Sequence, residues 1–318
     1  MTTTSTPITH TGHIALGTMY FGTSVDRDTA FMLLDRFVEL GGRWLDTADN
    51  YAFWRDPSGL GGQSERLIGA WLAARPGMRD HVWLSTKLGA DPLEPNGWPD
   101  SMEGLSQEAI RRAITGSLAR LGTEHVELLW AHVEDRVTPL NEQVDALGAL
   151  VADGVVGELG ASNHATWRVE RARARARLTH TAGYQALQLR HTLLQPVPFA
   201  PLPDGGHVVA TPEALDYAAE HGLPVWAYSS LLGGAYGRDD RKLQEPYEHP
   251  VTARTLRAVD EVAARHDATR NQVVLAWLLG GTPAVTPIVG VSSVAQLDEI
   301  LDARHLQLTD ADRARLAA

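Results

Sequence analysis

Short apolar runs recur along the chain, each followed by a stretch whose apolar positions repeat at helical spacing. The runs cover 13–18, 43–48, 82–87, 126–131, 155–162, 184–189, 225–229 and 286–290. Several are apolar nearly throughout, which is the pattern of parallel strands buried on both faces. Between them, 29–40, 64–74, 107–121, 140–152, 166–178, 212–220, 253–266 and 294–303 read as helices. In the first of these, Phe31, Leu34 and Val38 fall at i, i+3 and i+7. One more helical stretch, 270–279, precedes the last strand. Gly41, Gly122, Gly154 and Gly222 follow helices, where left-handed caps are expected. Eight strand–helix units in series, with no break in composition, predict one α/β domain over 1–318 folded as a single (β/α)8 TIM barrel. Alternation alone does not prove closure, so a doubly wound sheet is the fallback. Residues 1–10 read as a disordered tail.

Two connections are long. The segment 191–211 is rich in proline, and 230–250 is rich in Gly, Asp and Arg. In a barrel, long loops after strands lie at the C-terminal face, where ligands bind.

Charge and composition narrow the chemistry. The 318 residues carry 28 Lys+Arg against 39 Asp+Glu, a formal charge of −11. An acidic chain is a poor partner for nucleic acid, and any phosphate it binds must be held by local donors. The Arg-rich run 167–177 therefore reads as a solvated outer helix. With no Cys, disulfides, thiolate metal sites and a cysteine nucleophile are excluded. The Thr-rich start lacks a basic and then apolar signal pattern, and no apolar run approaches the ~20 residues of a membrane span. The expectation is a cytoplasmic protein.

Three of the predicted strands end in a polar group. Asp46 closes the second, Lys87 the third and His132 follows the fourth, while Tyr51 stands in the loop after Asp46. A phenol near pKa ~10 is a poor acid–base group at neutral pH, and a nearby ammonium is expected to lower it. Asp46 would keep the Lys87 ammonium charged. His132 would orient or relay a proton to a substrate oxygen. Such a set can polarise a carbonyl and protonate the alkoxide left by hydride addition, and the hydride must come from a cofactor. A metal-dependent hydrolase would need several His/Asp clusters at strand ends. Only Asp46 and His132 come near that pattern, so no metal site is expected. Trp83 reads as packing, and Trp130 as either packing or pocket lining.

The segment Gly42–Tyr51, the helix opening Ser64-Glu65, Lys87, His132, Gly160-Ala161-Ser162-Asn163, Gln188, Ala227-Tyr228-Ser229 and Gly290–Ser293 with Gln296 and Glu299 together resemble an aldo-keto reductase. The resemblance runs from about Leu16 to Leu301. It implies a barrel that binds NADP(H), or alternatively NAD(H), and reduces a small carbonyl or oxidises the matching alcohol. It assigns acid–base catalysis to Tyr51, tuned by Asp46 and Lys87, with His132 orienting the substrate. Ser162, Asn163 and Gln188 would hold the nicotinamide carboxamide and Tyr228 would stack on its ring. Gly17, Thr18 and Met19 would also meet the cofactor, Ser229, Leu231 and Gly233 its pyrophosphate, and Gly290, Ser292, Ser293, Gln296 and Glu299 its adenosine end. Relatives often carry Lys or Arg between the last strand and the Gln296 position; this chain has none there. Arg238 and Arg241 on the long loop are candidate substitutes. Tyr20, Phe53, Trp54 and Trp98 are candidate substrate contacts, and the polar loops 55–63 and 91–100 favour a partly polar, sugar-like or secondary-metabolite substrate. A cofactor-binding regulatory or scaffold protein on the same barrel is the alternative reading, and homo-oligomer formation stays open.

Overall fold

In this computed structural model, which describes residues 13–202, 205–238 and 240–317, eight parallel strands close into a barrel in sequence order. The strands are β1 (Ala15–Gly17), β2 (Trp44–Asp46), β3 (Trp83–Leu88), β4 (Val126–Ala131), β5 (Val156–Ser162), β6 (Tyr184–Arg190), β7 (Val225–Tyr228) and β8 (Val285–Val289). Closure comes from β1, which pairs Leu16 with Leu45 of β2 and with Val289 of β8. The fallback of an open sheet is thereby set aside. The expected tail 1–10 lies outside the described residues.

The helices fall where apolar periodicity places them: α1 (Arg27–Glu39), α2 (Gln63–Ala74), α3 (Gln107–Leu121), α4 (Leu140–Ala152), α5 (Thr166–Thr179), α6 (Pro212–Glu220), α7 (Pro250–His266), α8 (Arg270–Leu279) and α9 (Val294–Asp302). Their buried faces, with Leu33, Phe37, Ile68, Trp71, Leu147 and Val259 fully enclosed, form the main core against the outside of the barrel. Gly122 ends α3 with φ 66° and its N–H on the Leu118 carbonyl, the left-handed cap that favours glycine. The Arg-rich run is α5, and the guanidinium groups of Arg173, Arg175 and Arg177 are engaged with Glu170 and Asp145. One helix was not expected, α10 (Asp310–Ala317). Thr309 Oγ1 accepts from the Asp312 N–H while Asp312 Oδ2 accepts from the Thr309 N–H, a reciprocal cap. The cap is legible as Thr-x-x-Asp, but the helix buries only Asp312 and Leu316, too little for a periodic signal.

Inside the barrel the rings of Trp83, Trp44, Trp226 and Trp130 pack in series, with successive centroid distances of 5.3, 5.1 and 5.5 Å. Trp83 and Trp130 are both packing residues. Gly160 of β5 makes the space for Trp130, since a Cβ there would lie 2.2 Å from Trp130 Cε3.

Candidate active site

β1 and β2 are shorter than the apolar runs suggest, and after β2 the chain turns into a buried polar loop at Thr47. The N-terminus of α2 fastens the C-terminal ends of β1, β2 and β3 together. Ser64 Oγ donates to the Thr18 carbonyl at 2.9 Å and accepts from Thr47 Oγ1 at 2.8 Å. Glu65, fully buried, accepts from Thr86 Oγ1 of β3 and from Arg120 of α3 at 2.6 and 2.7 Å. Thr18 donates both its N–H and its hydroxyl to the Asp46 carbonyl. A carboxylate and a lysine carried on strand ends braced in this way have little freedom to drift.

Lys87 is fully buried, and its Nζ donates to Asp46 Oδ2 at 2.5 Å and to the Thr47 carbonyl at 2.7 Å. Asp46 Oδ1 accepts from Ser85 Oγ at 2.9 Å and from Gln188 Nε2 at 3.2 Å, and Ser85 Oγ in turn accepts from Trp130 Nε1 at 2.7 Å. β3 and β6 thus converge on one carboxylate of β2, with β4 behind them through Trp130. The Lys87 ammonium lies 4.7 Å from the centroid of the Tyr51 ring. On the other flank of Tyr51 the His132 ring stands edge-on at 5.8 Å between centroids. The four residues singled out in the sequence are therefore neighbours in space.

Their electrostatics differ from the expectation at one point. Burial pushes the Lys87 ammonium toward its neutral form, but Asp46 and Tyr51 outweigh burial and hold it above its ordinary pKa. For Tyr51, burial is the largest influence and drives the phenol above its ordinary pKa; Lys87 pulls it down and Asp46 pushes it further up. The net direction is upward, so the expected lowering by the ammonium is corrected: it moderates a rise set by burial. His132 is driven well below the usual histidine range by burial, then by Lys87 and His207. It is neutral at pH ~7, and its Nδ1 is buried without a partner.

The residues expected to meet a cofactor line the same face, with part of their bonding capacity already committed. Asn163, at the end of β5 with φ 59°, donates from Nδ2 to the His132 carbonyl and to Ser162 Oγ, both at 3.1 Å. Its Oδ1 accepts from Tyr228 hydroxyl at 2.6 Å and from the Val208 N–H at 3.0 Å. All its hydrogen-bonding positions are engaged, so in this structure Asn163 locks His132 and Tyr228 in place. Gln188 donates to Asp46. Gly17 and Gly290 lie back to back where β1 meets β8: a Cβ on Gly290 would be 3.6 Å from the Gly17 carbonyl. Met19 and Tyr20 follow in the β1 loop. After β7, Ser229, Leu232, Gly233 and Gly234 take positive φ and Leu231 is buried. Irregular backbone of this kind can gather N–H groups around an anion. Ser293 caps α9, while Gln296 Oε1 accepts from the N–H and hydroxyl of Ser292. Glu299 joins α9 to α8 through Thr269 and Asn271.

Around the mouth, Tyr20 and Trp54 are exposed, Phe53 is buried beneath Trp54 at 5.0 Å, and Trp54 stands edge-on to Tyr51 at 6.2 Å. Trp98, from the loop after β3, borders a cavity of about 320 Å³ together with Met102, Val133, Arg136, Asn163 and Val208. Sequence reasoning missed Ser85 and the fixing role of Asn163. The first carries no motif, and the second needs the partners of its amide to be seen. Among the described residues no group of three acidic or histidine side chains has the arrangement to hold a metal ion, and no helix is long and apolar enough to cross a membrane.

Comparison with known proteins gives a consistent result. The family model described as the aldo/keto reductase family matches residues 13–318. The chain is 32% identical over 305 residues to YrpG of Bacillus subtilis, described as an uncharacterized oxidoreductase, covering 93% of this chain and 88% of that protein. It is 29% identical to the norsolorinic acid reductase stcV of Emericella nidulans, over 93% of this chain and 75% of that one. It is 28% identical to an aryl-alcohol dehydrogenase of Pestalotiopsis microspora, over 90% and 71%.

Proposed function

The chain belongs to the aldo/keto reductase family of oxidoreductases, and from that premise we propose that it exchanges hydride between NADP(H) and a partly polar aryl or secondary-metabolite carbonyl, with Tyr51 as general acid and base. The observation that carries this reading is the fully buried Lys87–Asp46 pair with its ammonium 4.7 Å from the Tyr51 ring. When bound, a reduced nicotinamide supplies the hydride that no side chain can. Tyr51, kept protonated by burial, gives its proton to the substrate oxygen as negative charge develops there. Lys87 stabilises the phenolate that remains, and Asp46, held by Ser85 and Gln188, fixes Lys87. Neutral His132 offers a ring N–H to the same oxygen, in an orientation that Asn163 sets through its bond to the His132 carbonyl.

The residues present fit a dinucleotide. The positive-φ turn after β7 suits a pyrophosphate. Basic side chains for a 2′-phosphate come from outside the last strand. A Cβ on Gly234 would lie 3.2 Å from Arg238 and 3.9 Å from Arg241, so both side chains cover that turn. The adjacent Gly237 faces Asn271, which donates to Glu299 of α9. Arg238, next to Gly237 in sequence, forks onto Asp240, and a 2′-phosphate can take the place of Asp240 on that guanidinium, which supports NADP(H) over NAD(H). The aromatic rim and the names of the relatives support an aryl substrate, and Arg136 with the polar loops supports its carrying oxygen groups.

Tyr51→Phe is the test. Turnover of aryl aldehydes and ketones with NADPH should be lost, while NADPH still quenches tryptophan fluorescence with wild-type affinity. A variant that keeps wild-type turnover refutes the assignment. Tight NADPH binding by the wild type without turnover of any carbonyl would favour the regulatory reading.

A further inference from the structure

Beside the catalytic set lies a second group of acids that the reaction above does not use. Asp49, two residues before Tyr51, is 1% exposed, and neither of its carboxyl oxygens has a hydrogen-bond donor among protein groups. The Asp49 N–H bonds to the Lys87 carbonyl and Glu103, of the loop after β3, accepts from the Gly89 N–H, so both acids are gathered at the end of β3. Asp91 of the same loop and Glu65 of α2 add like charge. On the basic side, Arg120 of α3 is bonded to Glu65, Arg66 of α2 to the Gly61 carbonyl, and Lys87 of β3 to Asp46. Glu103 itself accepts from the Gly89 N–H at 2.6 Å. Acceptors outnumber donors: Asn50 Oδ1, Gln63 Oε1 and Asp91 Oδ1 are also buried unpartnered.

An ionised carboxylate enclosed without a donor is strongly disfavoured, and further acids gathered beside it disfavour its charge again. We propose, building on the assignment of Tyr51, that Asp49 carries a proton, which it can donate to the neighbouring Glu103, and that this pair is a positioning device that keeps Asp49 uncharged beside the phenol. Burial followed by Glu103 drives the Asp49 acid well above the usual carboxylate range, in the same sense. The consequence reaches the active site because an ionised Asp49 acts on Tyr51, raising its pKa in the same direction as Asp46 does. With Asp49 neutral, Asp46 is left as the principal anion at the phenol, and its charge is already balanced by Lys87. Carboxyl groups strained in this way collect at functional sites more often than elsewhere.

Two measurements on the full-length protein test the proposal. Infrared spectroscopy reads the carbonyl stretch of a protonated carboxyl directly and needs no activity. The wild type should show such a band at pH ~7, and it should weaken in both Asp49→Asn and Glu103→Gln. Its absence from the wild type overturns the proposal, as does a stoichiometric metal found by elemental analysis, whether or not Tyr51 proves catalytic. The second readout is the pH midpoint of alcohol oxidation, which requires the Tyr51 phenolate. Asp49→Asn mimics the protonated acid and should leave the midpoint in place. In Glu103→Gln an amide can donate to Asp49 and favour its ionised form, so the midpoint should rise by about half a unit or more. Adding Asp49→Asn to Glu103→Gln should reverse that rise. A purely structural pair would move kcat without moving the midpoint, and a fall of the midpoint in Asp49→Asn alone would mean that Asp49 is ionised in the wild type; either result refutes the proposal.

Discussion

Replacing Lys87 by Met removes a cation while keeping the length of the side chain. Lys87 is fully buried and Asp46 is 3% exposed, so the carboxylate left behind cannot turn to water. Breaking a buried ion pair by deleting one partner typically costs about 3–5 kcal/mol. Ser85 and Gln188 still donate to Asp46 Oδ1, which places the expected loss near the lower end, about 3 kcal/mol. Stability in a chain of this size shifts by roughly 2 °C per kcal/mol, so the melting temperature should fall by about 6 °C. The double variant Lys87→Met/Asp46→Asn removes the stranded charge and should recover part of that loss. Activity behaves differently. Both variants lose the ammonium that moderates the Tyr51 pKa, so both should be severely impaired in turnover, and the pH at which alcohol oxidation becomes appreciable should move upward. Thermal unfolding and steady-state kinetics on the same preparations separate the two effects. A Lys87→Met protein that melts at the wild-type temperature, or a double variant no more stable than the single, would refute the buried-charge argument.

Three other outcomes follow from the geometry. Gly160→Ala would drive a Cβ to 2.2 Å from Trp130 Cε3 and should cost about 1–3 kcal/mol in urea unfolding; a neutral effect would mean that the tryptophan layer repacks freely. Arg238→Ala should weaken NADPH about tenfold, or about 1.4 kcal/mol, while leaving NADH unchanged in a fluorescence titration; equal effects on both would remove Arg238 from the 2′-phosphate. Asp91 is pushed up from the usual carboxylate value to about 6, by burial first and then by Glu103. The folded state therefore holds this proton more tightly than the unfolded chain, and the stability it confers below pH ~4 is lost as pH rises through about 6. Asp91→Asn should flatten that decline in melting temperature, and an unchanged pH profile would argue against the raised value.

Much of this could be read from the sequence because strand-end chemistry leaves linear marks. Asp46, Lys87 and His132 each stand at the end of an apolar run, and barrel closure brings such ends together at one face. The second and third strands were placed within a residue or two, and the extra helix α8 was expected. What escaped was the identity of hydrogen-bond partners. The resemblance places Asn163 at a cofactor, but apart from neighbouring Ser162 its amide is committed to His132, Tyr228 and Val208, which are distant in sequence. The end of β3 gathers Asp49 and Glu103, which are more than fifty positions apart, and nothing in either local sequence marks it. Nor could spacing weigh burial against an ammonium at Tyr51, because both terms depend on depth in the folded protein.

The seam at β1 carries a consequence for motion. That strand has only three residues and meets β2 through Leu16–Leu45 and Gly17–Asp46, whereas β4 and β5 are paired from Val126–Val156 to Ala131–Ala161. Local opening should begin where the ladder is thinnest. Amide hydrogens of β1 should therefore exchange with deuterium sooner than those of β4. Because the Thr18 N–H is bonded to the Asp46 carbonyl, its exchange rate becomes a clock for how often the catalytic floor itself comes apart.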